Sequence, residues 1–287
     1  MPSLRDIKRR IVSVKKTEQI TKAMKMVSAA KFRRAQERII AARPYGRSIE
    51  KVLQSLVMRA GGEDVHPLLR RGEPGTIELI VITGDKGLCG GFNNNVIKAA
   101  NAFIKENPES NINMTLVGKK CKEFFSKRKL SVRNIYSDFF NTLGYEHAVR
   151  IAREVIKNYS EDEIEKVVMI YNEFKSAMTQ NVLVKQILPI EPAETGKAED
   201  GIDFIYEPSR EKIFDQLLPR SIEVIIYNAL LESLAAEQAA RMAAMENASQ
   251  NAGDMISSLT LKYNKARQAA ITKELLEIVA GAEALKG

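Results

Sequence analysis

The residues best placed to do chemistry lie in the run GDKGLCGGFN, Gly84 to Asn93. It follows a β-branched run, Ile77 to Thr83 (IELIVIT), and precedes a helix-like segment, the setting in which glycine loops cradle phosphate. Its spacing fits neither phosphate pattern. A P-loop needs G-x-x-x-x-G-K-[ST], but Lys86 comes before the later glycines and no Ser or Thr follows them; G-x-G-x-x-G is absent as well. Tight backbone packing or a protein-contact loop is the better reading. Cys89 and Cys121 have no metal-ligand spacing and suggest reduced thiols, Cys89 as an inert thiol beside apolar Leu88 and Phe92. His66 and His147 are isolated and read as structural or solvated. With no paired carboxylates in a plausible pocket, no Ser/His/Asp set and no metal cluster, the expectation is no catalytic residue, no cofactor and no metal.

A second set stands near the C-terminus: Lys265, Arg267, Gln268 and Thr272. Gln268, Thr272 and Leu275 share a helix face by i, i+4 and i, i+7 spacing, which puts hydrogen-bonding groups beside an apolar stripe. In an ordinary helix these would be a solvated face. The element that carries them is not ordinary. From Asn228 one position in seven forms a series, Asn228, Ala235, Met242, Ser249, Ile256, Tyr263, Ala270, with companions Leu231, Gln238, Met245, Ala252, Leu259 and Ala266. A seven-residue period held this long is a coiled-coil seam. An unbroken helix from Ser209, its expected cap, to the end would be roughly 110 Å long. Pro219 is expected to kink it early.

The partner for that seam is the N-terminal segment. Leu4, Ile7, Ile11 and Val14, then Ile20, Met24 and Val27, then Phe32, Ala35, Ile39 and Ala42 form one stripe of about 57 residues' helix, which Pro44 must kink or interrupt. Between the two helices, strand-like runs (Ile77–Thr83, Ile112–Val117, Val132–Tyr136, Lys166–Tyr171, Val182–Leu188) alternate with helical ones, which predicts a compact α/β domain with a largely parallel sheet. A further short strand is predicted at Asp203 to Tyr206. The expected architecture is a long antiparallel two-helix coiled coil from the N- and C-terminal segments plus a central Rossmann-like α/β domain. Its divisions are 1–60 (N-terminal coiled-coil helix), 75–207 (α/β foot) and 208–287 (C-terminal helix with a single-helix tip). Levelling the helix ends near residues 57 and 210 makes facing numbers sum to about 265. Met24 then lies near Arg241 and Met242, and Ile11 near Asp254 and Met255. The C-terminal helix is longer by some 18 residues, a ~27 Å tip. There the seam moves to Ile271, Leu275, Ile278, Ala282 and Leu285, an apolar stripe that demands another protein.

Charge points the same way. The formal net charge is +8, and residues 1–60 hold 16 Lys/Arg against 4 Asp/Glu. Such an arm reads as a surface for something acidic: nucleic acid, lipid headgroups or protein. A basic coiled-coil nucleic-acid-binding protein is the alternative function, although only Phe32 and Tyr45 interleave the arm and base stacking needs aromatics. No run of some 18 apolar residues suggests a bilayer span, and no apolar signal segment follows Met1.

The stretches ITKAMKMVSAAKFRRAQ (Ile20–Gln36), GDKGLCGGFN, EQAARMAAMENAS (Glu237–Ser249) and LKYNKARQAAITKELLEIVAGAEAL (Leu261–Leu285) closely resemble the gamma subunits of F-type ATP synthases. The resemblance spans essentially the whole chain. It implies a central rotating shaft inside a hexamer of alternating alpha and beta subunits, with the α/β foot bound to the epsilon subunit and the c-subunit ring. The ATP chemistry would belong to beta, and this chain would be a non-catalytic subunit of the proton-translocating ATP synthase. By resemblance, Met24, Arg241, Arg267, Gln268 and Thr272 touch beta, Tyr206 and Glu207 lie at the foot near the ring, and Ile271, Leu275, Ile278 and Leu285 form the apolar tip. An acidic lever segment of beta would face the basic first helix. The implied location is peripheral, on the cytoplasmic face of the bacterial plasma (inner) membrane, touching the membrane only through the c ring. Chloroplast-type relatives carry an inserted regulatory dithiol; this chain has neither that insert nor a third cysteine, so thiol control is not expected.

Overall fold

The structure, a computed structural model, describes residues 3–59, 66–70, 72, 74–128, 130–161, 164–175, 180–190 and 210–284. Its elements run α1 (Leu4–Arg59), β1 (Thr76–Ile82), α2 (Phe92–Glu106), β2 (Asn111–Val117), α3 (Lys119–Phe125), β3 (Ser131–Tyr136), α4 (Tyr145–Glu161), β4 (Lys166–Phe174), β5 (Gln180–Leu188) and α5 (Arg210–Ala284). The sheet order is β3-β2-β1-β4-β5. The first four strands are parallel and β5 pairs antiparallel with β4, so the sheet is largely parallel as strand–helix alternation predicts.

Helices cover both sheet faces, which is why β1 is a continuous apolar run rather than an alternating one. Ile77, Leu79 and Val81 pack with Val96, Ala100 and Phe125 from α2 and α3. Ile80 and Ile82 point the other way, into a core shared with Ile151 and Val155 of α4, Ile39 and Leu53 of α1, and Phe214, Leu218 and Ile222 of α5. Each fully buried aliphatic or aromatic side chain here stabilises the fold by ~1.5–3 kcal/mol. The polar exception in β1 is Glu78, fully buried, which accepts hydrogen bonds from Thr115 Oγ1 (2.7 Å) and Asn158 Nδ2 (3.4 Å).

The chain forms two compact units, residues 29–241 and residues 1–28 with 242–287. This divides the long helices differently from the 1–60, 75–207 and 208–287 scheme. The 29–59 and 210–241 segments go with the sheet, because Ala35, Ile39, Leu53, Phe214 and Leu218 are part of its core. Both prolines lie inside continuous helix, Pro44 in α1 and Pro219 in α5, so neither interrupts its element.

In the smaller unit, α1 and α5 run antiparallel. Thr21 Oγ1 and Ser249 Oγ share a hydrogen bond of 2.6 Å, and Lys25 pairs with Glu246. These numbers sum to 270 and 271, not about 265. Met24 is therefore level with Glu246 rather than with Arg241 and Met242, and Ile11 with Leu259 rather than with Asp254 and Met255. Packing of the two hydroxyls sets the register, which levelled helix ends could not reveal. On α5 the heptad positions Met242, Met245, Ser249, Ala252, Ile256, Leu259, Tyr263, Ala266 and Ala270 are all shielded, as the seven-residue period predicts, with Ala244, Ala248 and Gly253 shielded beside them. On α1 the seam departs from the apolar stripe. Thr21 and Ser28 are buried, whereas Ile20 and Val27 are 59% and 58% exposed. Small side chains let the helices approach, and the hydroxyl pair satisfies itself across the seam.

Around residues 61–75, the described part includes a 3-10 turn, Pro67–Leu69, whose first amide is capped by His66: Leu68 N donates to His66 Nδ1 at 3.1 Å. The predicted strand at Asp203 to Tyr206 and the Ser209 cap lie outside the described residues.

Candidate interaction surfaces

Seam contact on α5 ends at Ala270, where α1 runs out: in the observed register Leu4 is level with residue 266 or 267. From Ile271 to Ala282 every residue is exposed. Ile271 (48%), Leu275 (57%) and Ile278 (67%) lie on one stripe by i, i+3 and i, i+4 spacing. Leu276 and Val279, which sequence reasoning did not single out, are exposed beside it and widen the stripe to half the helix circumference. Gln268 and Thr272 fall within that half and Arg267 at its edge, all three exposed. The structure thus brings together three of the five expected beta-contact residues and three of the four expected tip residues. Leu285 lies outside the described residues, as do Tyr206 and Glu207.

Met24 belongs to the same unit and is half-buried, one residue from the Lys25–Glu246 pair. The basic arm beside it is mostly solvated. Lys8, Arg9, Lys15, Lys16, Arg33 and Arg34 are all exposed. The aliphatic and thioether side chains of Val12, Ile20, Met26 and Val27 lie open among the basic residues of the arm.

Arg241 departs from the expectation of a surface contact. It is 7% exposed and belongs to the sheet-containing unit. Its guanidinium donates to the Gly87 carbonyl through Nε (3.3 Å) and Nη2 (3.2 Å), to the Lys86 carbonyl (3.4 Å), and to Glu237 one turn earlier. The two carbonyls belong to the GDKGLCGGFN loop, which leaves β1 at the carboxyl edge of the sheet. That is the switch point at which doubly wound sheets hold ligands, since connections from β1 lead toward β2 and the chain later returns to β4. Here the chain's own ion pair, Glu237 with Arg241, lines it. A Cβ on Gly84 would stand 2.8 Å from the Glu237 carboxyl carbon. Burial raises the Glu237 carboxyl above its ordinary range, and Arg241 only partly offsets this.

The loop's polar residues serve one another. Gly84 N donates to Asn93 Oδ1 (2.9 Å), and Asn93 Nδ2 donates to the Lys86 carbonyl (3.2 Å). Asp85 accepts from Lys119 N at the start of α3 and from Asp138 N, both at 3.1 Å. Cys89 and Cys121 are both buried, and burial raises both thiols, Cys121 to about 11, which leaves neither as a thiolate at neutral pH. His147 stacks on Phe139 and accepts from Gly144 N. These are packing roles. Leu88, with φ of 61° and 65% exposure, is the loop's outward-facing apolar side chain, beside exposed Lys86.

A body whose switch point is lined by its own ion pair, and a helix whose end exposes an aliphatic stripe beside amide and charged groups, define a subunit built to contact other chains. A family model described as ATP synthase matches residues 3–285. The chain is 50% identical over 290 residues to the ATP synthase gamma chain of Anaeromyxobacter sp. (strain K), and 50% identical over 293 residues to that of Trichlorobacter lovleyi, with full coverage of each. Among solved structures, a chain of the Tetrahymena thermophila mitochondrial ATP synthase central stalk and c-ring matches at TM-score 0.64 and 28% identity, covering 80% of this chain and 99% of that one. A chain of the Euglena gracilis mitochondrial ATP synthase assembly shares the fold at TM-score 0.70 and 23% identity, covering 98% and 94%. The chain belongs to the ATP synthase gamma-chain family. These relatives lend no support to the nucleic-acid reading.

Proposed function

We infer that this chain is the gamma subunit of an F-type ATP synthase, the central shaft that couples ion-driven rotation of a c-subunit ring to ATP synthesis or hydrolysis in an alpha/beta hexamer. The observation that carries this reading is the 50% identity to ATP synthase gamma chains along the entire length. The chemistry belongs to the beta subunits. This chain changes which nucleotide affinity each beta subunit adopts, because contact free energy at an asymmetric rotor differs between beta conformations.

Met24, Arg267, Gln268 and Thr272 are the side chains assigned to beta, and the last three owe this to their exposure beside the open stripe. Arg241 acts indirectly, by holding the Gly84–Asn93 loop. Ile271, Leu275, Ile278 and Leu285 seat in an apolar sleeve of the hexamer. Tyr206 and Glu207 face the c ring and the epsilon subunit. The exposed cations of α1 meet acidic groups of beta in pairs worth only ~0.2–1 kcal/mol each, which suits an interface that must release as it turns. No helix among the described residues is long and apolar enough to cross a membrane. On this reading the chain is a peripheral part of a membrane-bound complex, at the cytoplasmic face of the bacterial plasma membrane through the c ring. Co-expression with alpha and beta subunits tests the reading. Native mass measurement is expected to find one copy of this chain per hexamer; a hexamer that forms but retains none, or several, would overturn it.

A further inference from the structure

Away from the surfaces above, a cleft opens between α1, α5 and the β4–β5 edge of the sheet, lined in part by Arg43, Gly46, Tyr171, Lys185, Asn228 and Glu232. Two buried side-chain oxygens among the described residues lack a hydrogen-bond partner. One is the neutral hydroxyl of Ser233; the other is Glu232 Oε2. Tyr171 lines the same cleft, and its hydroxyl is the neutral group that acts on this carboxyl. A buried carboxylate with an oxygen that no donor meets costs more than the neutral acid at the same place, since the penalty for an unpartnered group is larger when it is charged.

The groups facing Glu232 come from every element around it. Arg43 approaches from α1, Tyr171 and Glu173 from β4, and Lys185 from β5. The cleft has no room to spare at Gly46, where a Cβ would come within 2.8 Å of Asn228 Nδ2. Arg43 and Lys185 line the cleft but are both exposed, and neither forms an ion pair with Glu232. Glu173 adds a second negative charge nearby.

We propose that Glu232 is a proton-binding site that fastens the base of α1 to α5 and the sheet: it is held as the neutral acid in the packed form, and loss of its proton places an unmatched charge in the cleft and loosens that packing. The balance is simple: the proton leaves Glu232 Oε2 for solvent and the charge stays on the carboxylate. Burial and then Glu173 raise the Glu232 carboxyl, and Arg43, Lys185 and the Tyr171 hydroxyl only partly offset them. A carboxyl raised on folding binds more protons in the native state than in the unfolded one. Its stabilisation is fully present below the ordinary carboxylate range and is lost as pH rises through the raised value. The inference rests on contacts within this chain and holds whichever partners it has.

The test is urea unfolding of the full chain across pH 5 to 9, for wild type and Glu232→Gln. The amide mimics the neutral acid and cannot ionise. The wild-type midpoint is expected to fall relative to that of the variant as pH rises. Parallel curves, or a wild type that gains on the variant with pH, would overturn the proposal. Carboxyl ¹³C NMR of the wild type, with Glu232→Asp for assignment, decides the matter should the Gln variant not fold. A glutamate titrating above the ordinary range and lost in that variant is expected; its absence refutes the site.

Discussion

Arg241 carries the clearest physical consequence of any single residue. Its guanidinium neutralises Glu237 and saturates the Lys86 and Gly87 carbonyls, with side-chain exposures of 9% and 5% for the pair. Removing one partner of a buried pair leaves an uncompensated charge, a loss of ~3–5 kcal/mol. Arg241→Ala should therefore lower the stability of the chain by that order, while Gln268→Ala, a fully solvated change, stays within ~0.5 kcal/mol. Urea unfolding of the two variants checks this; equal losses would contradict the burial of Arg241. The family motif places Arg241 among functional residues, but its inward orientation was not legible, because arginine is ordinarily exposed. Gly118 makes a similar point. At φ of 100° its Cβ position would lie 2.2 Å from the Thr83 carbonyl oxygen. Gly118→Ala is expected to cost at least ~1–3 kcal/mol in the same measurement, since a side chain here is strained as well as crowded.

At the scale of elements, the heptads of α5 were readable residue by residue, because aliphatic and alanine positions repeat without competition from the other faces. On α1 the same reasoning picked Ile20 and Val27 over Thr21 and Ser28. Hydrophobic periodicity has no signal for a seam built from small hydroxyl residues that bond to a partner far along the chain. The same blind spot displaced the helix register by about five in the sum of facing numbers. The largely parallel character of the sheet followed from strand–helix alternation, whereas its strand order and the packing of residues 29–59 and 210–241 on its α4 face did not. A cysteine pair at Thr21 and Ser249 should oxidise readily in the folded chain, because the two hydroxyl oxygens already lie 2.6 Å apart. A pair at Met24 and Met242 sits four residues out of register, an axial offset of ~6 Å, and should not. Quantifying both bridges under mild oxidation distinguishes the registers, and a reversed outcome would restore the sum of 265.

For the molecule as a whole, the sheet-containing unit owes its stability to its own core, and the open face of α5 contributes little to it. Residues 271–282 are all exposed within the chain, so the aliphatic area open there is available to a partner. The most direct measurement is thermal dissociation of the alpha/beta hexamer complex with the full chain and with a chain ending at Ala270, alongside urea unfolding of each chain alone. The truncated chain is predicted to unfold at an unchanged midpoint on its own, while its complex dissociates at a lower temperature. A complex that is equally stable without residues 271–287, or a truncated chain that is itself destabilised, would contradict the assignment of this helix end to a partner.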